Sequence, residues 1–339
     1  MTAASAQPGA LRTGTMPAWR QHRYGGPGVV ALERADVPAP GRGEVLVRLR
    51  ATGLNSGDVR ILRGEPIVVR AAFGLRRPKQ PVRGMDAAAT VVALGEGVDS
   101  LAVGDEVVGE LPAGGGLAQF AVAPASRFVR RPSALDAVLA ATLPVAGGTA
   151  WQALERGGVE PGHRVLVIGA SGGVGTFAVQ LAALRGADVH ALCGERSRTL
   201  VAGLGASKTW DYRLTRASDL PPETYDVVID IAGTAPLRAL QRLVRGEGRV
   251  VMVSGEGGRV WGPIGRIAAA SVVSMLSTRK AVMLAAVAKP DVLAQLVTLA
   301  ADGRLRPVVE RTFVFAEAAS ALAHVDAGHT VGKVVVVAD

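Results

Sequence analysis

One segment constrains the fold more than any other: Val165-Leu-Val-Ile-Gly-Ala-Ser-Gly-Gly-Val-Gly175. Four apolar residues run into a glycine-rich turn, and a helical segment at 176–185 follows. Strand, tight turn and helix in that order open a parallel α/β unit. Gly172 lacks a Cβ, so backbone there admits a pyrophosphate closely, and Gly175 lets the helix pack on the strand. Free N–H groups and the dipole at the helix start favour an anion. Val174, Phe177, Ala178 and Leu181 give the helix its apolar stripe. Ala170, Ser171, Gly172, Gly173, Val174 and Gly175 are therefore the candidate dinucleotide cradle. The competing reading is a purely structural turn.

The next strand bears on which dinucleotide. A chain that prefers NAD ends its second strand with Asp or Glu, for the ribose 2′-hydroxyl. Here Val189-His-Ala-Leu-Cys193 ends in Gly194, with Glu195 one residue later and then Arg196 and Arg198. Guanidinium groups suit a 2′-phosphate, which they hold bidentately. NADPH is thus expected over NADH. The alternative keeps Arg196 and Arg198 solvated at a helix start and has Glu195 read the ribose.

The remaining chain divides by pattern. Residues 1–15 carry no apolar period and read as a disordered extension. From 16 to 134 the chain is β-rich. At 44–50, Val45, Val47 and Leu49 share one face and Leu46, Arg48 and Arg50 the other, as in a half-buried strand. Short strands are expected at 90–94 and 106–108. From 135 to 288 strand-like runs at 164–168, 188–192, 208–210, 227–231 and 249–253 alternate with helical segments such as 237–244. Such alternation argues a parallel sheet covered by helices. The tail from 289 holds a helix at 291–302, an extended run at 307–315, a helix near 317–325 and a strand at 333–337.

Composition narrows the classes. With 49% hydrophobic and 20% charged residues, the chain is globular. The single cysteine, Cys193, rules out an intrachain disulfide and a Cys-rich zinc site. Uncharged stretches at 165–184 and 137–154 approach membrane-spanning length, but the glycines of the first and Pro144, Gly147 and Gly148 of the second break them. A protein of the cytoplasm with no integral membrane contact is expected. The net charge of +9 reads as a surface bias; with aromatics at 4% and no stacking motif, nucleic-acid binding is not expected.

In sequence, the chain resembles the medium-chain dehydrogenase/reductase superfamily, and within it the zinc-independent quinone oxidoreductase branch. The matching stretches are Tyr24-Gly-Gly-Pro-Gly, Gly43-Glu-Val-Leu-Val47, Gly53-Leu-Asn-Ser-Gly-Asp58, Gly84-Met-Asp86, Gly104-Asp-Glu-Val-Val-Gly109, Leu143-Pro144 with Gly148-Thr-Ala150, Gly169–Gly175, Gly303-Arg-Leu-Arg-Pro307 and Gly332-Lys-Val-Val335. The resemblance implies an α/β chain with a GroES-like β-rich catalytic domain at 16–134 and 289–339. A Rossmann doubly wound parallel-sheet NADP-binding domain lies at 135–288, with a cleft between the two. It also implies a homodimer through the last strand of the cofactor sheet, at 281–285. Where the family's zinc enzymes carry a catalytic Cys and a His-Glu pair, this chain has Asn55 and Met85-Asp86, and neither Asn nor Met is a usual zinc ligand. No metal is expected.

The same comparison places Asn55 and Asp58 in the cleft near the nicotinamide and Thr149 beside its ribose or phosphate. Arg198 falls at the 2′-phosphate, Tyr212 near the adenosine end, and Ser254 and Gly255 at the carboxyl edge of the fifth strand. Arg60 stands where some members carry a substrate-side Tyr. Ala89, 117–120 and Val331 also depart from the usual pattern, and no tyrosine offers itself as general acid. Asn55 and Asp58 could equally brace a turn, Thr149 cap a helix and Tyr212 pack on the surface. Lys333 reads as a fold-bracing residue, and Cys193 as a buried strand residue.

The implied activity is hydride transfer from NADPH to a quinone or an α,β-unsaturated carbonyl, with backbone N–H groups or Asn55 meeting the acceptor's charge. The alternatives are a pathway-specific enoyl reductase and an NADPH-binding structural or regulatory protein with little turnover. Arg70, Arg76, Arg77, Lys79 and Arg83 form a basic cluster, read as a solvated loop or as an attractor of an anionic substrate or acidic membrane surface.

Overall fold

In the computed structural model, residues 14–112, 114–253 and 278–338 are described. Most of the N-terminal extension, and Ser254 and Gly255, lie outside them. The first part of the chain runs through β1 (Thr15–Gln21), β2 (Val30–Asp36), β3 (Glu44–Leu54), α1 (Ser56–Arg63) and α2 (Arg70–Phe73). It continues through β4 (Asp86–Leu94), β5 (Glu106–Glu110), β6 (Phe120–Pro124) and β7 (Phe128–Arg130). Then come α3 (Ala137–Ala140), α4 (Gly148–Gly157), β8 (Arg164–Ile168), α5 (Gly173–Leu184), β9 (Asp188–Cys193) and α6 (Arg198–Gly203). They are followed by β10 (Ala206–Asp211), β11 (Tyr225–Asp230), α7 (Leu237–Leu243), β12 (Val244–Met252) and β13 (Lys280–Met283). The chain closes with α8 (Pro290–Ala301), β14 (Val309–Val314), α9 (Ala318–Asp326) and β15 (Lys333–Val337).

Six strands form a parallel sheet in the order β10-β9-β8-β11-β12-β13. Counted from β8, that is the doubly wound order 3-2-1-4-5-6, whose reversal between β8 and β11 opens a ligand crevice at the strands' carboxyl ends. The phosphate-loop segment leaves β8 at that point. A second sheet has the order β14-β15-β3-β4-β5-β7, with β6 also on β3. The last two strands therefore return to the N-terminal sheet, and β15 lies antiparallel to β3 with Val335 opposite Gly53.

Both near-spanning stretches fold as broken segments. Residues 165–184 form β8, the turn and α5; residues 137–154 form α3, a π-type turn at Leu143–Gly147, and most of α4. Among the described residues no helix is long and apolar enough to cross a membrane. One expectation holds in part. β3 is buried on its second face too at Leu46 and Leu54, because Val45, Val47 and Leu49 join one core cluster while Leu46 joins another with Leu54, Leu62 and Phe120; Arg48 is half-buried and Arg50 exposed, as a half-buried strand requires. A strand paired with β4 along one edge, and with β15 and β6 along the other, lies inside the sheet and is covered twice at Leu46 and Leu54.

The largest core crosses between the sheets. It joins Ala51, Ala88, Val108 and Val335 to Leu154, Val167, Phe177 and Ile229. A buried amide adds a polar clamp. Gln180 on α5 donates to the carbonyls of Thr176 and Arg306, both at 3.0 Å, and accepts the Arg306 N–H at 2.8 Å. It thus ties the phosphate-loop helix to the segment that leads back to β14. Gln180→Leu strands both backbone groups of Arg306, and chemical denaturation should show a loss of about 1–3 kcal/mol.

Candidate functional site

The glycine turn is shaped by close contacts that the structure makes explicit. A Cβ on Gly175 would stand 2.2 Å from the Gly169 carbonyl oxygen and 2.7 Å from Ala170 backbone, so the helix can approach β8 only as glycine. Gly169 takes φ +85°, in the left-handed region. Gly172 differs: its nearest protein atom would be 3.6 Å from an added Cβ. Packing does not demand glycine at 172, and the backbone there is open to a ligand's approach. The first-turn N–H groups of α5 have no intrahelical partners, and no acidic residue occupies that turn. The cradle therefore fits a dinucleotide pyrophosphate at Ala170, Ser171, Gly172, Gly173, Val174 and Gly175.

The second glycine of the pair has its own reason. A Cβ on Gly173 would stand 3.0 Å from Cδ of Lys333, whose aliphatic stem runs past the turn. Gly332 N–H donates to the Ser171 carbonyl at 2.8 Å. The start of β15 is thereby fastened to the phosphate loop. From there the Lys333 side chain, 3% exposed, reaches along its own sheet to the ends of β3 and β4. Its Nζ donates to Asn55 Oδ1 at 2.6 Å, to Asp86 Oδ2 at 3.0 Å and to the Leu54 carbonyl at 3.0 Å.

Asp86 is fully buried. Its Oδ2 also accepts from Asn55 Nδ2 at 2.9 Å, and its Oδ1 accepts the Val145 N–H at 2.9 Å. Gly53 makes room for this group, because a Cβ there would meet the Ala141 carbonyl at 2.3 Å and Asp86 Oδ2 at 3.0 Å. Asn55, Asp86 and Lys333 thus form one closed hydrogen-bonded set at the positions where the resemblance expects a metal in the zinc enzymes. The ammonium is the set's cation. Asn55 is half-buried, and its amide is spent inside the set, with the second contact going to the Gly53 carbonyl at 3.4 Å. It braces the group and is not a free donor for an acceptor's charge.

Other expected residues separate into those near this group and those used elsewhere. Asp58 is 1% exposed, so it does not line the cleft. Its oxygens accept the N–H groups of Asn55 and Gly84, both at 2.9 Å, and hold the turn beneath Asn55. Burial pushes its carboxyl up to about 6, against those hydrogen bonds. Arg60 sits on the exposed face of α1. The Thr149 hydroxyl caps no helix; α4 begins without a side-chain cap. Arg198 donates to Thr209 Oγ1 at 3.2 Å and to Glu195 Oε2 at 3.0 Å, at the end of β9. Arg196 instead bonds the His329 carbonyl. Tyr212 is 45% exposed and its ring lies 3.5 Å from where a Gly194 Cβ would be. Cys193 is buried, and desolvation pushes its thiol up to about 11, so it is no nucleophile.

Two further charged groups depart from the sequence reading. Arg83 is 2% exposed, not part of a solvated loop as Arg76, Arg77 and Lys79 are. β1 carries the 81–83 segment inward through the Arg20–Val82 bridge and the Gln21–Pro81 hydrogen bond. Glu110 was not singled out by the sequence at all. It pairs directly across from Asp86 in the β4–β5 ladder and lines a small cavity with Pro144, Gly148 and Lys289. Burial, aided by the Asp86 charge and opposed by Arg127, pushes its carboxyl up to about 7. The cross-strand register carries that signal, and it needs the sheet to be known.

An alcohol dehydrogenase GroES-like domain matches residues 41–133, and a zinc-binding dehydrogenase domain matches residues 204–336. The chloroplast envelope quinone oxidoreductase homolog of Arabidopsis thaliana is 35% identical over 334 residues, covering 95% of this chain and 98% of the relative. The NADPH-dependent alkenal/one oxidoreductase, chloroplastic, of the same plant is 31% identical, covering 95% and 79%. The quinone oxidoreductase from Coxiella burnetii superposes with a TM-score of 0.85 at 26% identity, covering 95% and 99%. The chain belongs to the medium-chain dehydrogenase/reductase superfamily, in its quinone oxidoreductase branch. It is an oxidoreductase that uses a nicotinamide dinucleotide. The plant relatives' printed names place them in the chloroplast, so they lend no support to the expected cytoplasmic location.

The two glycines give opposite tests. Gly175→Ala must displace backbone and should yield little folded protein. Gly172→Ala should keep the thermal unfolding of the parent and weaken dinucleotide binding about tenfold or more, measured by nicotinamide fluorescence.

Proposed function

We propose that this chain is a zinc-independent, NADPH-dependent reductase that acts on quinones or α,β-unsaturated carbonyls. The observation that carries the reading is the Asn55–Asp86–Lys333 set. A lysine ammonium satisfies the side chains at two of the positions where a metal would be held, and its stem lies against the phosphate loop. Without a Lewis acid, polarising an alcohol's oxygen is hard, whereas addition to a quinone or an activated C=C needs less electrophilic help. The dinucleotide, when bound, supplies a hydride. The chain's own part is to hold the pyrophosphate on the α5 turn, to place the nicotinamide end beside Thr149, and to keep the cleft dry so that donor and acceptor meet at about 3–3.5 Å. The proton comes from water.

NADPH over NADH rests on Arg198. Its bond to Glu195 neutralises the one carboxylate that could read a ribose 2′-hydroxyl, and it leaves guanidinium N–H groups for a 2′-phosphate. The similarity to the alkenal/one oxidoreductase, NADPH-dependent by its printed name, supports the same choice. The proposal includes a catalytic domain at 16–134 and 289–339 around a cofactor domain at 135–288. It also includes a homodimer through the edge strand β13, which pairs only with β12 among the described residues.

Loss of NADPH absorbance with purified protein, against a panel of quinones and enones with NADH in parallel, tests this reading. Turnover should favour NADPH, and Arg198→Gln should raise the KM for NADPH about tenfold or more while sparing NADH. Equal use of NADH overturns the cofactor choice. Tight NADPH binding with no turnover across the panel would favour a binding protein or an enoyl reductase of narrow substrate range.

A further inference from the structure

A groove of about 450 Å³ opens between α4, α5 and α8, lined by Trp151, Leu181, Leu184, Arg185, Leu299 and Arg304 among others. Trp151 follows Thr149 by two positions on α4, so the two side chains leave the helix on roughly opposite sides. The groove therefore faces away from the side assigned to the cofactor.

Its chemistry is one-sided. The floor is aliphatic and aromatic: Leu181 is buried, Leu184 is 41% exposed, and the indole of Trp151 lies 5.0 Å beneath the Arg185 guanidinium. Arg185 is half-buried, and desolvation lowers its pKa despite the nearby Glu155 charge. Neither the Arg185 nor the Arg304 guanidinium has a hydrogen-bond or ion-pair partner among the described residues. Glu155, whose charge acts on Arg185, is already engaged, accepting from Trp151 Nε1 at 2.7 Å and from Lys289 Nζ at 3.3 Å. Among the described residues no acidic side chain lines the groove.

The geometry points to a second ligand site, distinct from the cleft, that binds an aliphatic monocarboxylate of medium chain length. The carboxylate would accept charge-assisted bonds from Arg185, with Arg304 at the open side, and its chain would lie along Leu181, Leu184 and Leu299. The volume falls within the roughly 300–1,000 Å³ range of small-molecule sites. An arginine held partly out of water without a partner is the group such a carboxylate satisfies best. An apolar ligand without the charge would leave that arginine as it is.

Calorimetric titration of the full chain with decanoate, in the presence of saturating NADPH, tests the site. Saturable binding to one site is expected, with decanol, the uncharged analogue, binding at least about tenfold more weakly. Arg185→Gln should weaken decanoate by a similar factor, and Ala294→Trp should block the groove and abolish binding. Unfolding temperatures of both variants establish that they are folded; should Ala294→Trp not fold, Arg185→Gln carries the test alone. Absence of saturable binding, equal affinity for decanoate and decanol, or parent-like binding by Arg185→Gln would overturn the proposal. Binding that appears only when NADPH is omitted would also overturn it, by placing decanoate in the cleft. The variant comparisons do not depend on the function proposed for the cleft.

Discussion

The buried pair between Lys333 and Asp86 is the interaction on which the rest of the site depends. A charge with no contact to water is tolerated only when paired and hydrogen-bonded. Here both conditions hold, and they hold across three elements. Asp86 starts β4, Lys333 starts β15, and Asn55 ends the turn from β3 into α1. All three ends belong to the N-terminal sheet, so the pair gathers neighbouring strand ends, and the phosphate loop is joined beside it by the Gly332 N–H and the lysine stem.

That constraint explains several glycines at once. Gly53 admits the Ala141 carbonyl and the Asp86 carboxylate, and Gly173 admits the lysine stem. Gly332 donates its N–H to Ser171 and takes φ +73°, where a Cβ would also collide with the Val308 carbonyl. The turn proposed to receive a pyrophosphate is therefore held from behind by the residue beside the lysine. The phosphate-loop turn and the Asn55 group are thus linked through the start of β15, and catalytic geometry depends on supporting contacts of this kind.

How much of this was legible in the sequence follows from how far each signal reaches. The phosphate loop was legible because strand, glycines and helix are contiguous, and local spacing encodes their packing. The parallel sheet was legible from alternation, though its order, with β8 between β9 and β11, was not. The sequence marks Lys333 as a brace, but what it braces lies 247 residues away at Asp86, a distance no local pattern spans. The family resemblance puts Asp58 in the cleft, and only its burial shows both oxygens spent on backbone. Arg83 looked solvated because it belongs to a run of cations. Its neighbours do face water, but β1 pairs beside it and closes it in. Glu110 gave no signal, since a lone glutamate at a strand end is ordinary until Asp86 is found opposite.

The most direct measurement is a double-mutant cycle on unfolding free energy with Lys333→Met, Asp86→Asn and the combined variant. If the pair organises the site, Lys333→Met alone should cost about 3–5 kcal/mol, because it leaves Asp86 buried and uncompensated. The combined variant should then cost clearly less than the sum of the two singles. Single variants of near-parent stability, or strict additivity in the combined one, would contradict the account.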